Sequence, residues 1–252
     1  MSFSAEERER YKRHLLLPEI GGQGQQKLKA ARVTMVGVGG LGCPILAYLA
    51  AAGVGTLRLI DGDHVELSNL QRQILFEIGD LGQLKVDAAA RRLRALNPEI
   101  SIEPHPIMLT EATADRLLSQ SDLIIEGLDR FAPRYLVNRA ARRARIPLLS
   151  AALGRFDGQI LSLRSAPEGP CYRCLVPRPP EDEALCETQG VLGVTAGVVG
   201  TLTALEAIKH LLSLRGELID ELLILDTLGG VTRRARLRAD PACPDCGAPA
   251  IS

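Results

Sequence analysis

The sequence contains no tryptophan, and aromatic residues make up only 3% of its 252 residues. Surfaces that stack single-stranded nucleic acid are built from aromatic side chains, so we expect none here. Thirty basic residues balance thirty acidic ones, which argues against a broad electrostatic surface for nucleic acid. These absences together disfavour nucleic acid as a partner.

Long apolar segments are also scarce. The first residues, MSFSAEERERYKRH, are charged from the start, so we expect no signal peptide. The longest mostly apolar run, 191–214, contains Glu206, Lys209 and His210, and we predict a buried helix there rather than a membrane span. We therefore expect a cytoplasmic protein whose six cysteines lie in a reducing compartment.

What the sequence does contain is an alternation of short apolar strands and amphipathic helices. A helix is predicted from Ser4, with Glu7 completing a capping box, and Pro18 and the glycines at 21–22 are expected to end it. After residue 155, the segments 158–164, 222–227 and 231–238 predict antiparallel strands.

This pattern predicts an α/β fold in which a Rossmann-like, mostly parallel sheet is extended by antiparallel strands. We expect one compact domain with three parts. They are a helical lead (1–30), a nucleotide-binding part (31–165) and a part with a Pro-rich, acidic loop and paired cysteines (166–252).

A glycine-rich turn, GVGGLG, joins the first predicted strand to the next helix. Gly37, Gly39 and Gly42 permit a tight turn and let phosphate oxygens approach backbone N–H groups at the helix N-terminus, and Gly40 lies within the same turn. Asp61 ends the next strand, where a carboxylate accepts hydrogen bonds from ribose hydroxyls. The pattern predicts nucleotide binding; the alternative is a glycine turn that serves packing alone.

The polar residues after Asp61 indicate which nucleotide binds. They are Asp63, Ser68, Asn69, Gln71, Arg72, Gln73 and Lys85, and the apolar Leu70 lies within the same run. Arg72 and Lys85 supply two cations beyond the ribose, which suit a triphosphate and the charge that develops at its α-phosphorus. Hydride transfer to a nicotinamide does not need them, so we expect ATP.

Asp129 lies at the tip of a later predicted strand, on the edge where ligands bind in open α/β sheets. A carboxylate beside a triphosphate is expected to hold Mg²⁺. The alternative is that Asp129 caps the following helix.

The cysteines fall into two classes. Cys171, Cys174, Cys243 and Cys246 form two Cys-x-x-Cys half-sites, which predict a closed tetrahedral Zn²⁺ site, with redox use of one pair as the alternative. Cys186 is unpaired in the acidic loop 177–190, where a thiol could act as a nucleophile, although the sequence shows no neighbouring base.

These stretches together resemble the ThiF/MoeB/HesA family of E1-like adenylyltransferases. The matching segments are RYKRHLLLPEIGGQGQQKL, VGVGGLGCP, AGVGTLRLIDGDHVELSNLQRQ, GQLKV, PCYRC, CETQGV and CPDCG. The resemblance implies that ATP activates the C-terminal glycine carboxylate of a small ubiquitin-like sulfur carrier of the MoaD or ThiS type. The acyl-adenylate would then serve sulfur transfer in molybdopterin or thiamine biosynthesis.

The resemblance also implies roles for single residues. ATP contacts fall on Gly39, Asp61, Asn69, Arg72 and Lys85, the magnesium contact on Asp129, and the zinc ligands on the four paired cysteines. Arg13 resembles the arginine that reaches the ATP of the neighbouring subunit, which implies a homodimer. Cys186 matches a loop cysteine that relays sulfur in some relatives and is dispensable in others. Arg130 departs from the family pattern, which usually has asparagine there.

The expected partners are a β-grasp carrier ending in Gly-Gly, bound by the part 166–252, and a sulfurtransferase or cysteine desulfurase. We expect no fused sulfurtransferase after the cysteine pairs. The alternatives are a relative that acts on tRNA, one that acts on a peptide in a natural-product pathway, and a non-catalytic nucleotide-binding scaffold.

Overall fold

The computed structural model describes residues 3–180 and 190–247, and in them one eight-stranded sheet organises the chain. Its strands are β1 (Arg32–Val36), β2 (Thr56–Ile60), β3 (Ser101–His105), β4 (Leu123–Glu126), β5 (Leu148–Leu153), β6 (Asp157–Leu163), β7 (Glu221–Asp226) and β8 (Val231–Arg236). Their order is β3-β2-β1-β4-β5-β6-β7-β8. Strands β1 to β5 pair in parallel and β6 to β8 pair antiparallel, which confirms the predicted fold class.

Helices cover both faces of the sheet. They are α1 (Ala5–Arg10), α2 (Lys12–Leu15), α3 (Gly21–Ala30), α4 (Gly42–Ala52), α5 (Lys85–Leu96), α6 (Glu111–Leu118), α7 (Phe131–Ala144), α8 (Tyr172–Leu175) and α9 (Gly193–Leu212). Two short 3₁₀ helices, Leu67–Asn69 and Ile78–Asp80, lie between β2 and α5.

The register of the parallel strands brings three loops to one edge of the sheet. Val36 of β1 pairs with Ile60 of β2 on one side and with Glu126 of β4 on the other. The residues that follow these strand ends therefore lie side by side. Because β2 and β3 lie on one side of β1 and β4 on the other, this edge is the topological switch point at which such sheets bind ligands.

The N-terminal segment differs from the single predicted helix. The capping box is present, since Ser4 Oγ accepts the Glu7 N–H at 3.0 Å and the Glu7 carboxylate accepts the Ser4 N–H at 2.8 Å. Three helices follow, however, and Gly21 begins α3 instead of ending a helix. Gly21 has φ +54°, a conformation that glycine adopts at little cost, and it lets the chain turn into the new helix.

The apolar run 191–214 forms α9, as predicted, but only one side of this helix is buried. Val199 and Ala207 are fully buried against the core, whereas Val194 is 71% exposed and Leu205 is 50% exposed. Among the described residues, no helix combines the length and apolar character that a membrane crossing needs.

Two apolar cores lie on opposite faces of the sheet, because neighbouring side chains of a strand point to opposite faces. Met35 of β1 belongs to one core and Val36 to the other. The first core joins Leu28, Met35 and Val199, which come from the three predicted parts of the chain. The boundaries of those parts stay a prediction.

Candidate functional site

The glycine turn begins where β1 ends. Gly37 has φ +91°, and its N–H donates to the Ile60 carbonyl at 2.9 Å. A Cβ added at Gly42 would lie 2.3 Å from the Gly37 carbonyl oxygen, so a side chain there would force the turn apart. The turn therefore depends on glycine at both ends, and it leads directly into the N-terminus of α4.

Asp61 is fixed against this turn by backbone hydrogen bonds. Its Oδ2 accepts the Val38 N–H at 2.7 Å, and its Oδ1 accepts the Asp63 N–H at 2.8 Å. Burial raises the pKa of Asp61, although these bonds and the nearby Lys85 oppose the rise. The carboxylate is thus an oriented acceptor beside the turn, as ribose binding requires.

Lys85 is the first residue of α5, and its ammonium is almost fully withdrawn from solvent. The Lys85 side chain is 9% exposed, and its Nζ lies 3.0 Å from Asp63 Oδ2. Asp63 is 58% exposed, so this carboxylate neutralises the cation from the solvent side only. The structure brings Asp61, Asp63 and Lys85 together.

The SNLQRQ run follows the same edge. Asn69 ends the first 3₁₀ helix and is buried, and its Oδ1 accepts the Glu66 N–H at 3.2 Å. The Arg72 guanidinium donates to the carbonyl of the exposed Ser68 at 3.0 Å. A Cβ at Gly40 would lie 3.3 Å from Arg72 Cγ, so the stem of this arginine packs on the glycine turn.

Gln73 is the most enclosed polar residue of this run. It is 3% exposed, and its Oε1 has no hydrogen-bond partner within the described part of the chain. Its Nε2 would lie 3.8 Å from a Cβ at Gly39, so an amide whose oxygen is unsatisfied faces the turn.

Two further residues of the run connect the site to its surroundings. Leu70 packs on the core, and the Gln71 carbonyl lies against Gly193, which brings the start of α9 to the site.

Asp129 and Arg130 follow β4 on the same edge, and both are exposed. A Cβ at Gly37 would lie 3.3 Å from the Gly127 carbonyl oxygen, so this segment runs beside the glycine turn. The N-cap of α7 is Arg130, whose side chain makes no capping hydrogen bond. The alternative interpretation of Asp129 as the helix N-cap is therefore wrong.

Among the described residues, Arg13 is a predicted site residue that is not brought to the turn. Arg13 is exposed on α2, and the ring of neighbouring Tyr11 would lie 2.5 Å from a Cβ at Gly53, the C-cap of α4. A helix of 11 residues spans about 16 Å, so Arg13 lies near the far end of α4 from the turn. Cys186 lies outside the described residues.

The four paired cysteines converge in space although their pairs are far apart in sequence. Their Sγ atoms all lie within 4.8 Å of one another, with 3.5 Å between Cys171 and Cys243 and 3.3 Å between Cys174 and Cys246. Tetrahedral Zn–S₄ coordination separates the sulfurs by about 3.8 Å, so this cluster fits a zinc ion.

The environment of the sulfurs also suits a cation. Burial raises the pKa of Cys171 to about 11, so its thiolate needs a compensating positive charge. Cys174 Sγ accepts backbone N–H groups from Cys171 and Asp240, each at 3.4 Å, as thiolate ligands of structural zinc do. Cys43, by contrast, is fully buried with its pKa raised to about 12 by burial, and it belongs to the core.

The sequence did not indicate a buried polar cluster behind Asp129. Glu126, Arg134 and Ser150 come together from β4, α7 and β5. Glu126, a charged residue at the end of the otherwise apolar segment LIIE, was the feature of the sequence that could have indicated this cluster.

A comparison with known families matches the ThiF family model to residues 11–246. The chain belongs to the ThiF family. Among curated relatives, it is 44% identical to the sulfur carrier protein adenylyltransferase of Thermus thermophilus, over 98% of this chain and 93% of that protein. It is 47% identical to the adenylyltransferase and sulfurtransferase MOCS3 of Sus scrofa, over 98% of this chain but only 54% of MOCS3.

Solved structures of the same fold include E. coli MccB with ATP. That structure has a TM-score of 0.79 and 25% identity, and the alignment covers 95% of this ThiF-family chain and 75% of MccB. These relatives confirm the expectation of an ATP-using adenylyltransferase.

Proposed function

We propose that this ThiF-family chain adenylates the C-terminal glycine carboxylate of a small ubiquitin-like sulfur carrier. The observation that carries the proposal is the meeting of Asp61, Arg72 and Lys85 around one glycine turn. The name of the Thermus thermophilus relative, 44% identical over nearly the whole chain, supports a sulfur carrier as the substrate.

The proposed reaction is a displacement at the α-phosphorus of ATP. A carboxylate oxygen of the carrier bonds to this phosphorus, the bond to the bridging oxygen breaks, and pyrophosphate leaves with the electron pair. A C-terminal carboxylate is ionised at neutral pH, so no general base is needed. The protein therefore acts by positioning the reactants and by stabilising charge, which Arg72 and Lys85 do at the phosphates.

Metal ions complete the proposal at two sites. Asp129 would hold Mg²⁺, which neutralises phosphate charge when it is bound there. The exposed Asp129 carboxylate beside the turn is an oxygen donor of the kind that this ion prefers. Zn²⁺ is proposed for the four-cysteine cluster, henceforth the zinc knuckle, on the sulfur distances given above.

The carrier is proposed to dock on the end of the sheet formed by β6, β7 and β8. Every residue of the edge strand β8 is exposed, and three of them, Arg233, Arg234 and Arg236, are arginines. In a chain of zero net charge, this concentration suits a carrier with an acidic face. The carrier's tail would then run toward α9 and the glycine turn.

We further propose a cytoplasmic homodimer in which Arg13 of one subunit serves the other. A sulfurtransferase or cysteine desulfurase is the proposed sulfur source, and the relative MOCS3 is named as both an adenylyltransferase and a sulfurtransferase. Cys186 is proposed as a thiol relay. Mass spectrometry of the reaction mixture would detect a carrier adduct that the Cys186→Ala variant lacks.

The proposed function is tested by carrier-dependent ATP–pyrophosphate exchange. We expect exchange with a MoaD- or ThiS-type carrier and none with the same carrier lacking its terminal glycines. Asp129→Ala and Arg72→Ala should abolish it, whereas Arg92→Ala, an exposed change on α5, should not. Exchange near the wild-type rate in either site variant would refute these assignments. Exchange stimulated only by a peptide or by tRNA would refute the carrier.

A further inference from the structure

A buried ion pair lies directly behind the segment that carries Asp129. The Glu126 side chain, at the end of β4, is 1% exposed, and the Arg134 side chain, on α7, is 9% exposed. Arg134 Nη1 lies 3.5 Å from Glu126 Oε1. Buried pairs of this kind add little net stability over apolar residues, so their use must be sought in what they hold in place.

The pair holds both polar backbone groups of Leu128, the residue before Asp129. The Leu128 N–H donates to Glu126 Oε2 at 2.9 Å. The Leu128 carbonyl accepts from Arg134 Nε at 2.9 Å and also from Arg134 Nη2. The backbone leading to Asp129 is thereby fixed on both sides of one residue.

Neighbouring residues lock the pair itself. Ser150 Oγ of β5 donates to Glu126 Oε1, and Arg134 Nη2 donates to the Ala151 carbonyl at 3.0 Å. The ring of Tyr172, between two cysteines of the zinc knuckle, lies 5.9 Å from the Arg134 guanidinium carbon. The guanidinium therefore has little freedom to reorient.

The zinc knuckle is tied to the same face of α7 one turn later. Asn138 is 1% exposed, its Oδ1 accepts the Tyr172 N–H at 2.8 Å, and its Nδ2 donates to Asp245 Oδ2 at 3.2 Å. Asn138 thus joins both halves of the knuckle. Arg134 and Asn138 are four residues apart on α7 and therefore neighbours on one helix face. Through them, α7 connects the zinc knuckle to the segment that carries Asp129.

The charges agree with this arrangement. Burial disfavours the charged guanidinium, but the Glu126 carboxylate, then Tyr172 and last the Asp129 carboxylate give a net rise in the pKa of Arg134. Asp129 is thus close enough for its charge to affect the pKa of Arg134, although the Asp129 side chain is exposed at the edge of the site.

We propose that Arg134 and Glu126 are positioning residues that fix Leu128 and thereby aim the Asp129 carboxylate at the metal-bound nucleotide. This inference rests on the proposed function in one respect, namely that Asp129 is the magnesium ligand.

The test measures metal binding without the carrier. Full-length protein with a non-hydrolysable ATP analogue is titrated with Mn²⁺, and free Mn²⁺ is followed by electron paramagnetic resonance. Arg134→Lys keeps the charge opposite Glu126 but loses the two-pronged bond to the Leu128 carbonyl. We expect the half-saturating Mn²⁺ concentration to rise by about tenfold or more, the usual effect of removing support behind a metal ligand. Binding of the analogue without metal should be unchanged.

Arg142→Lys is the matched control. Arg142 lies on the same helix and also donates to backbone carbonyls, those of Ala166, Pro167 and Gly169, but none belongs to the Asp129 segment. We expect its half-saturating concentration to equal that of the wild type. An unchanged value in Arg134→Lys, or an equal rise in Arg142→Lys, would overturn the inference.

Two more variants keep the outcome interpretable. Asp129→Asn should itself raise the half-saturating concentration; if it does not, the magnesium assignment in the proposed function fails, and the positioning role fails with it. If Arg134→Lys does not fold, Ser150→Ala removes a hydrogen bond to Glu126 and leaves the ion pair. A smaller rise there supports the inference, and no rise contradicts it.

Discussion

At the scale of single residues, the site contains a cation that is more enclosed than its partner. Lys85 is nearly buried while its carboxylate partner Asp63 is more than half exposed. The exposed carboxylate is screened by water, so it compensates the ammonium only in part. A second anion would stabilise the buried Lys85 ammonium further, and a phosphate group that enters beside Asp61 would supply that anion.

We therefore expect Lys85→Met to lower carrier-dependent pyrophosphate exchange by about 100-fold or more, as the loss of one preorganised electrostatic group does. Its melting temperature should stay near the wild-type value, because the change removes a desolvated charge and keeps an apolar stem. Arg92→Met on the same helix is the control and should retain full exchange. Exchange that survives in Lys85→Met would show that the phosphates lie elsewhere.

At the scale of elements, a buried carboxylate of α1 pairs with α3. Glu7 is 3% exposed, closes the capping box with Ser4, and lies 2.5 Å from the Lys29 ammonium of α3. The hydrogen bond from Lys29, followed by the Ser4 N–H, lowers the pKa of Glu7 below its usual value of 4.5. A lowered pKa means that the folded state prefers the ionised form of Glu7. The resulting increase in the free energy of unfolding is fully present above pH 4.5 and is lost as the pH falls through the folded-state pKa.

Glu7→Gln should accordingly lower the melting temperature at pH 7, and the difference from the wild type should shrink as the pH drops below about 4. Glu9→Gln is the control, since Glu9 is 79% exposed on the same helix and its pair with Lys12 is solvent-screened. Thermal unfolding of the three proteins between pH 3 and pH 7 measures this. A Glu7→Gln deficit that is independent of pH would assign the effect to packing instead.

Elements whose shape depends on local chemistry could be predicted from the sequence. The glycine turn is one, because Gly37 and Gly42 are required by backbone geometry that any reader of the sequence can anticipate. The break between α1 and α2 is not, since it falls at Tyr11, which packs at Gly53 and whose hydroxyl accepts a hydrogen bond from Asn97. Arg134 was missed for the same reason: its pairing with Glu126 exists only once α7 has packed on β4.

At the scale of the whole molecule, the zinc knuckle closes a long loop. It joins Cys171 to Cys243, 72 residues apart, and so fastens the segment after β8 to α7. Cys246→Ser should reduce bound zinc from one per chain to none, measured by mass spectrometry of the metal. The melting temperature should fall by several degrees, since a loss of about 1 kcal/mol lowers it by about 2–4 °C in a chain of this size. Cys186→Ser should keep its zinc; a zinc-free Cys186→Ser would contradict the assignment of the four ligands.

The proposed use of Arg13 by the neighbouring subunit is a property of the whole dimer. Arg13 lies near the far end of α4 from its own glycine turn, and the neighbouring Leu16 and Leu17 are 69% and 46% exposed. An apolar surface beside an arginine that its own site does not use is expected where a second copy binds.

Mixed dimers decide whether Arg13 works across the interface. Arg13→Ala and Arg72→Ala dimers should each be inactive, because every site lacks one cation. In a mixed dimer, the site of the Arg13→Ala chain keeps its own Arg72 and receives an intact Arg13 from its partner, while the other site has lost both. Unfolding and refolding an equal mixture makes half of the dimers mixed, so pyrophosphate exchange should return to about a quarter of the wild-type rate. If Arg13 instead acted within its own chain, both sites of the mixed dimer would lack a cation, and the mixture would stay inactive.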